Sequence, residues 1–202
     1  MEQFLTALSG ASPTPGGGGA AALAGALAAS LASMVASLTS GKKKYAAYQA
    51  EIEDILARTA ALRDALYSFI ARDAEAFEPL SRAYGIPKGT PGREEVLEAA
   101  LHAAAETPLA LLETLCALPP ICERLLTAGS RLAVSDAGCA AALCRAAAEC
   151  AALNVYINTK LMRDADLARA LNTRTDAALA QIGASCTEVY DAVRRTVKGE
   201  KA

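Results

Sequence analysis

The sequence predicts an all-α fold, in which five or six main helices form a single dimerising bundle over residues 1–202. Three observations favour this class. Hydrophobic residues make up 53% of the chain, with alanine and leucine dominant. Apolar residues recur at spacings of three and four, and no stretch shows the strict alternation of a half-buried strand. The length is typical of one domain, and no linker or internal repeat divides it.

Twenty uncharged residues, Ala20 to Thr39, predict the first and most apolar helix. They are numerous enough to cross a membrane, but alanine and serine dominate them, and we find no second span or aromatic belt. We therefore expect a buried central helix and no membrane partner. Small residues recur at every fourth position, at Gly25, Ala29, Ser33 and Ser37. Because small residues let helices approach closely, this stripe predicts packing of the helix on its twin in a homodimer.

Glycine and proline residues indicate where the other helices begin and end. Gly41 ends the first helix, the second runs from about Lys43 to Tyr84, and the loop GIPKGTPG follows. The third helix begins near Arg93 and is interrupted or kinked near Pro108, and Pro119 and Pro120 start a fourth that ends near Gly129. Ser135 is the predicted N-cap of a fifth helix that extends to about Asp164, and the last runs from about Asp166 to Val197.

An acidic residue interrupts the apolar stripe of the second helix. The stripe has the three- and four-residue spacing of a bundle seam: Ile52, Ile55, Thr59, Leu62, Leu66, Phe69, Asp73, Ala76 and Leu80. A carboxylate removed from water is costly unless it is paired, shifts its pKa or faces a cleft. Asp73 therefore either holds an arginine or performs acid–base chemistry. We select it as the candidate catalytic residue.

An asparagine interrupts a second predicted stripe, on the helix after Ser135. Its members are Leu143, Ala147, Cys150, Asn154, Ile157 and Leu161. Asn158 lies one turn beyond Asn154 on the same side. An asparagine in a seam can fix the helix register, or it can contact a ligand. We predict that both asparagines bind substrate.

Glycines and basic residues supply the other candidate binding groups. The glycine run, Gly16 to Gly19, either forms a turn or presents backbone N–H groups to an anion at a helix N-terminus. It lacks the P-loop and dinucleotide-binding patterns. The lysine run, Lys42 to Lys44, either complements a helix dipole or binds an anionic ligand. The predicted substrate-binding residues from these segments are Gly16, Gly17, Gly18, Lys42, Lys43, Lys44, Lys88, Ser135 and Asp136. The last two also suit a helix cap.

The composition argues against other functional classes. A net charge of −2 gives no reason to expect a nucleic-acid partner. The six cysteines form no Cys-x-x-Cys pair, and only one histidine is present. We therefore expect reduced cysteines that fill the core, no metal site and a cytoplasmic location. We assign His102 to packing or the surface rather than to catalysis.

Seven segments together resemble the cyclodeaminase domain of formimidoyltransferase-cyclodeaminases and their free-standing bacterial relatives, the methenyltetrahydrofolate cyclohydrolases. In order they are TPGGGGAAALAGALAASLASMVASLT, GKKKY, DAEAF, IPKGTP, TPL, SD and NVYIN. They extend from about Ser12 to Asn158. The first two are specific, whereas SD carries no weight by itself.

The resemblance implies a homodimer that acts on a tetrahydrofolate derivative as substrate, with no tightly bound cofactor. A cyclohydrolase adds water to the methenyl bridge and forms 10-formyltetrahydrofolate. A cyclodeaminase closes 5-formimidoyltetrahydrofolate and expels ammonia. We favour the cyclohydrolase because the transferase half is absent. In either reaction Asp73 is the candidate acid–base group, and the lysines and backbone amides are candidates to hold the carboxylates of the folate's glutamate.

Four positions depart from the family pattern: Gly19, Ala71, Glu94 and Val134. At these positions relatives commonly have, in the same order, a serine, an aspartate, a different charged pattern and an arginine. Because several of these changes remove polar groups, a third hypothesis is a non-catalytic paralogue that binds folate or another ligand.

Overall fold

The computed structural model describes residues 1–200 and confirms the all-α class; Lys201 and Ala202 lie outside the described residues. A short helix α1 (Glu2–Leu8) precedes six main helices. These are α2 (Gly17–Ser37), α3 (Gln49–Gly85), α4 (Arg93–Leu115), α5 (Leu118–Ala128), α6 (Val134–Thr159) and α7 (Ala165–Lys198). Two 3-10 segments, Lys43–Tyr48 and Arg131–Ala133, precede α3 and α6. Residues 1–200 contain no β-strand.

Helix α2 is the centre of the bundle, as predicted, and the first half of its small-residue stripe packs inside the chain. A Cβ atom added to Gly25 would lie 2.9 Å from Leu115 Cδ2 and 3.5 Å from Leu66, and Ala29 is fully buried. Gly25 and Ala29 therefore serve close packing within one chain, whereas Ser33 is half-buried and Ser37 is exposed. The exposed side of α2 also carries larger residues, among them Leu27, Met34 and Leu38.

Two segments, Gly17–Ser37 and Arg131–Thr159, are long and apolar enough to cross a membrane. The second corrects the expectation that α2 alone would have this property. In each segment about half of the apolar window, 56% and 44%, is buried against the rest of the chain. Core helices of water-soluble proteins can be equally long and apolar, so the two segments have the length and hydropathy of core helices as well as of membrane spans.

Helix α3 confirms the predicted seam. Ile52, Thr59, Leu66 and Phe69 are buried along it, and Asp73 follows in a half-buried position. Its start differs from the prediction, because the chain first forms the 3-10 turn and enters the helix at Gln49. Gly41 lies beyond the end of α2 with φ of +74°, the left-handed backbone that favours glycine.

The predicted stripe of α6 is wrong. Cys150 and Ile157 are exposed, whereas a row of small residues faces the core: Ala137, Ala140, Ala141, Cys144, Ala147, Ala148, Ala151 and Ala152. Because α6 is apolar over most of its circumference, periodicity could not select its buried face. Close packing against α2 and α7 favours alanine there and leaves larger side chains outside.

Helix α4 runs through Pro108 without the predicted interruption. Serine 135 does not cap α6, because the 3-10 turn leads directly into the helix and places Ala133 at the N-cap position. All six cysteines are free thiols. Burial raises the pKa of Cys122 to about 12, so this thiol stays protonated and acts as an apolar filler.

Candidate active site

One end of the α2–α6 pair brings Asp73, Asn154 and Asn158 together with two of the predicted glycines around a cavity. The two helices run antiparallel, so the beginning of α2 meets the end of α6 and the middle of α3. The cavity has a volume of about 140 Å³. Its lining residues are Pro13, Thr14, Gly16, Gly17, Asp73, Phe77, Ala104, Asn154 and Asn158. We call this region the acid end.

Asp73 is held against the first turn of α2. Its Oδ2 accepts a hydrogen bond of 3.0 Å from the Gly19 backbone N–H. Burial raises the pKa of the Asp73 carboxyl, and the Gly19 N–H opposes that shift more weakly. The described residues place no basic side chain in hydrogen-bonding contact with Asp73, so the ion-pair interpretation is not supported. A carboxyl group with a raised pKa beside a cavity is suited to proton transfer.

The glycine run allows this contact because it has no side chains. A Cβ atom on Gly18 would lie 1.9 Å from Asp73 Oδ1, and one on Gly17 would lie 2.9 Å from Asn154 Nδ2. Gly16 is the N-cap residue of α2. The N–H groups of Gly17 and Gly18 have no partner within the helix, since helix geometry leaves the first turn unpaired. The beginning of α2 therefore presents backbone donors and a positive dipole to the acid end.

Asn158 is positioned by Pro108, a residue that sequence analysis treated only as a helix breaker. Proline has no N–H to donate to the carbonyl four residues earlier, which is that of Ala104. The Asn158 side chain supplies the missing donor, with Nδ2 at 3.1 Å from Ala104 O. The same nitrogen also donates to Asn154 O at 2.8 Å. With both contacts made by the amide nitrogen, Oδ1 is the atom left for a ligand.

We expect Asn158→Asp to lower the free energy of unfolding by about 1–3 kcal/mol, because a carboxylate would face the carbonyl oxygens of Ala104 and Asn154 and Ala104 O would lose its donor. Urea denaturation measures the change. In a Pro108→Ala background the cost should be smaller, because the restored N–H can bond Ala104 O. Equal costs in both backgrounds would contradict this account of Asn158.

Asn154 faces the glycine run from α6. Its Nδ2 donates to Cys150 O at 2.8 Å, a bond to its own helix. This contact leaves the amide oxygen close to Gly17 and the cavity. Asn154 was predicted from a stripe that the structure does not contain, yet the residue lines the cavity.

The lysine run lies at the opposite end of α2. This helix has 21 residues and is therefore about 30 Å long, which separates the two groups. Lys42 Nζ lies 3.5 Å from Ser130 Oγ, and the Tyr45 hydroxyl accepts a hydrogen bond from Arg131 N at 3.1 Å. We call this region the lysine end. It includes Lys42, Lys43, Lys44, Tyr45, Ser130, Arg131, Ser135 and Asp136.

Lys88 lies outside both groups. It is exposed in the loop between α3 and α4 and does not line the cavity. His102 is also remote from Asp73: it approaches Glu106 at 3.5 Å and borders an open, acidic cavity of about 750 Å³ near Glu94 and Arg163. This larger cavity contains none of the residues that we selected from the sequence as site residues.

The cavity is also lined by four residues that were not predicted from the sequence: Phe77, Ala104, Pro13 and Thr14. A signal existed for Phe77, which follows Asp73 by one helical turn within DAEAF. No comparable signal existed for Ala104, because its role comes from a backbone carbonyl.

Comparisons with known proteins agree with the fold and the motifs. A model of the formiminotransferase-cyclodeaminase family matches residues 1–177. The chain belongs to this family. It is 38% identical over 201 residues to the methenyltetrahydrofolate cyclohydrolase of Methylorubrum extorquens, covering 98% of this chain and 97% of that relative. It is also 30% identical to the formimidoyltransferase-cyclodeaminase of Sus scrofa, of which it spans 31%.

A solved structure extends the family relationship to three dimensions. The crystal structure of a formiminotetrahydrofolate cyclodeaminase from Thermotoga maritima matches with a TM-score of 0.89 and 31% identity. The match covers 98% of this chain and 96% of that one.

None of the four positions that depart from the family pattern contributes a side chain that contacts Asp73. Ala71 is exposed, two residues before Asp73 and therefore on another side of α3. Val134 begins α6 at the lysine end. Glu94 borders the larger cavity. Of these four positions, only Gly19 contacts the Asp73 carboxylate, and it does so through its backbone N–H.

Proposed function

We propose that this chain is a methenyltetrahydrofolate cyclohydrolase, which converts the 5,10-methenyl form of tetrahydrofolate to the 10-formyl form. Asp73 carries the proposal: a half-buried carboxyl group with a raised pKa lies in a cavity between a helix N-terminus and two asparagines. The near full-length similarity to a cyclohydrolase supports it further. In this proposal folate is the substrate and not a resident cofactor.

Asp73 serves as base and then as acid in the proposed reaction. The carboxylate takes a proton from water as the water oxygen bonds to the methenyl carbon, and a tetrahedral intermediate forms. The protonated carboxyl then gives its proton to N5 as the bond between carbon and N5 breaks. Loss of the hydroxyl proton to solvent completes the formyl group on N10, so one proton is released per turnover. The raised pKa suits both steps.

The other groups at the acid end orient the substrate. The amide oxygens of Asn154 and Asn158 can accept hydrogen bonds from the N–H and amino groups of the pterin. The N–H groups of Gly17 and Gly18 can donate to oxygen atoms of the substrate. Because Asn154 and Asn158 are anchored to backbone carbonyls, both are held in fixed orientations before the substrate binds.

Cyclodeaminase activity is the second candidate, and the structural match to a formiminotetrahydrofolate cyclodeaminase favours it. The same carboxyl group would then protonate the departing ammonia. A folate-binding protein without turnover is the third candidate, motivated by the changes at Ala71 and Val134.

Purified protein is expected to accelerate the loss of methenyltetrahydrofolate absorbance over the rate in buffer. Ammonia release from 5-formimidoyltetrahydrofolate, measured in parallel, distinguishes the two reactions. Folate binding without either reaction would support the non-catalytic candidate. Absence of folate binding would contradict all three candidates.

We also infer a water-soluble homodimer. The outer sides of α2 and α6 expose large apolar residues, among them Leu27, Met34, Leu153 and Ile157. Contiguous apolar surface of this kind is typical of an interface. Light scattering is expected to give twice the mass of one 20.7 kDa chain.

A further inference from the structure

Residues 1–15, which we call the N-terminal segment, pass over the acid end and have few contacts with the rest of the chain. Helix α1 has no buried residue. The half-buried residues of the segment are Phe4, Leu8, Thr14 and Pro15. Within the described part of the chain, its hydrogen bonds stay inside the segment, as in the bond from Ser9 Oγ to Thr6 O. A segment with so few buried contacts opens at a low cost in free energy.

Phe4 makes the aromatic contact that holds this segment. Its ring atoms Cε2 and Cζ lie 3.7 and 3.8 Å from the position that a Cβ would take on Gly19. Gly19 is buried, and its N–H is the donor to Asp73 Oδ2. Because Gly19 has no side chain, the ring lies over the backbone of the first turn of α2. The segment is therefore attached at the residue that binds the carboxyl group.

The same segment separates two cavities. Pro13 and Thr14, together with Phe77 of α3, line both the cavity of about 140 Å³ and a neighbouring cavity of about 350 Å³. Ligand pockets usually occupy about 300–1,000 Å³, so the first cavity is too small to hold a folate. Displacement of Pro13 and Thr14 would join the two spaces into one of sufficient size. Movement of the segment thus gives the substrate a way in.

The junction between the segment and α2 is suited to act as a hinge. Gly16 is the N-cap of α2, and Gly17 is its first residue. Glycine adopts a wider range of φ and ψ than any other residue, and hinges are a few residues at the end of an element that absorb such changes. Rotation at this junction moves residues 1–15 as one piece and leaves α2 in place.

We propose that the N-terminal segment is a hinged cover of the active site, held closed by Phe4 on Gly19, which opens to admit the pterin and closes over it. Phe4 is then a positioning residue. It does not touch the reacting atoms, but its ring keeps water away from the hydrogen bond between Gly19 and Asp73. The pterin as ligand rests on the proposed function, whereas the cover rests on the contacts of the segment.

Hydrogen exchange tests the cover without turnover. The Asp73→Asn variant is expected to bind 5,10-methenyltetrahydrofolate without converting it. The amides measured are those of residues 5–10, which include the hydrogen-bonded amides of Leu5, Ser9 and Gly10. Saturating ligand is expected to slow their exchange by about 10-fold or more, because it favours the closed state. Exchange that the ligand does not change would overturn the cover, as would an equal slowing in Asp73→Asn with Phe4→Ala.

The kinetic test uses variants of α1 in an otherwise wild-type chain. Phe4→Ala is expected to lower kcat by about 10-fold or more, because the closed state loses its aromatic contact. Phe4→Leu keeps an apolar contact and should recover most of this loss. The matched control is Leu5→Ala on the same helix, since Leu5 is 53% exposed, and we expect wild-type kinetics. Equal losses in Phe4→Ala and Leu5→Ala, or none in Phe4→Ala, would overturn the role of Phe4.

The pH profile distinguishes positioning from a purely structural contact. Burial raises the pKa of Asp73, and an open cover brings water to the carboxyl. The rising limb of kcat/KM should therefore lie at lower pH in Phe4→Ala than in the wild type. Among the described residues, Asp73 is the one titratable group lining this cavity, where α2, α4 and α6 contribute only glycine, alanine and asparagine. Glu75 and Glu78 border the neighbouring cavity. A limb at unchanged pH would overturn the positioning role.

Failure of the proposed function gives a different result. A wild-type protein that neither hydrolyses nor binds methenyltetrahydrofolate would contradict the folate chemistry. The cover is then tested by exchange in the free protein, where Phe4→Ala should speed exchange of residues 5–10 more than Leu5→Ala does. Equal exchange in these two variants would overturn the cover.

Discussion

Asp73→Asn is expected to lower kcat for methenyltetrahydrofolate by about 10²–10⁴-fold, the usual contribution of a positioned acid–base group. Asparagine is close in shape to aspartate, and its amide oxygen can still accept the Gly19 N–H. The variant therefore removes proton transfer with little change in packing. Steady-state kinetics measures the loss, which should appear in kcat rather than in KM.

The matched control is Asp64→Asn, on the same helix. Asp64 is exposed and forms an ion pair with Arg63, so we expect near-wild-type kinetics. A similar loss of activity in both variants, or activity retained in Asp73→Asn, would contradict the acid–base role.

The same substitution is expected to stabilise the fold at neutral pH. Burial raises the pKa of Asp73 above its ordinary value of 3.8, so ionisation costs more in the folded chain than in the unfolded chain. The favourable contribution of the neutral carboxyl is complete below pH 3.8 and is lost as the pH rises through the raised pKa. Asparagine never ionises. The stability difference between variant and wild type should therefore vanish in acid, as urea midpoints across pH would show.

Gly18→Ala is expected to lower activity by about 100-fold, since small displacements of a catalytic group have effects of that size. The new Cβ would lie 1.9 Å from Asp73 Oδ1, so the carboxyl or the first turn of α2 must move. Overpacking of this kind also destabilises a fold by about 1–3 kcal/mol. Kinetics and urea denaturation measure the two effects separately.

Gly19→Ala is the control one residue away. A Cβ there would meet its nearest neighbour, Pro15 Cβ, at 3.5 Å, which is ordinary contact. Its N–H would still reach Asp73, and alanine favours helix over glycine by up to about 1 kcal/mol. We expect full activity and equal or greater stability. If both alanine variants behave alike, the loss in Gly18→Ala does not come from the contact with Asp73.

The α3 stripe shows how much of the fold was predictable. Its residues alternate between clearly apolar and clearly polar types, so periodicity identified the buried side and the exception at Asp73. The same method failed on α6, where alanine, cysteine and leucine surround the helix. Without polar residues to indicate solvent, only packing against α2 and α7 selects the buried face.

The candidate site was predictable to a similar extent. Asp73 was predicted because a carboxyl group is costly among apolar side chains, whereas Asn154 and Asn158 were predicted from a stripe that the structure does not contain. The lysine run was grouped with them through the motifs, although it lies about 30 Å away along α2. The order of residues along the chain does not give that distance, because it depends on how the helices are oriented in the fold.

By itself, the sequence determined the helical class, the central helix, the acidic exception in α3 and the membership of a folate enzyme family that the comparisons support. These properties depend on composition and on spacing along one helix. The tertiary structure alone decided which side of α6 is buried, that Asn158 replaces the donor missing at Pro108, and that the lysines and Asp73 lie at opposite ends. Each of those depends on contacts between helices, which local periodicity does not record.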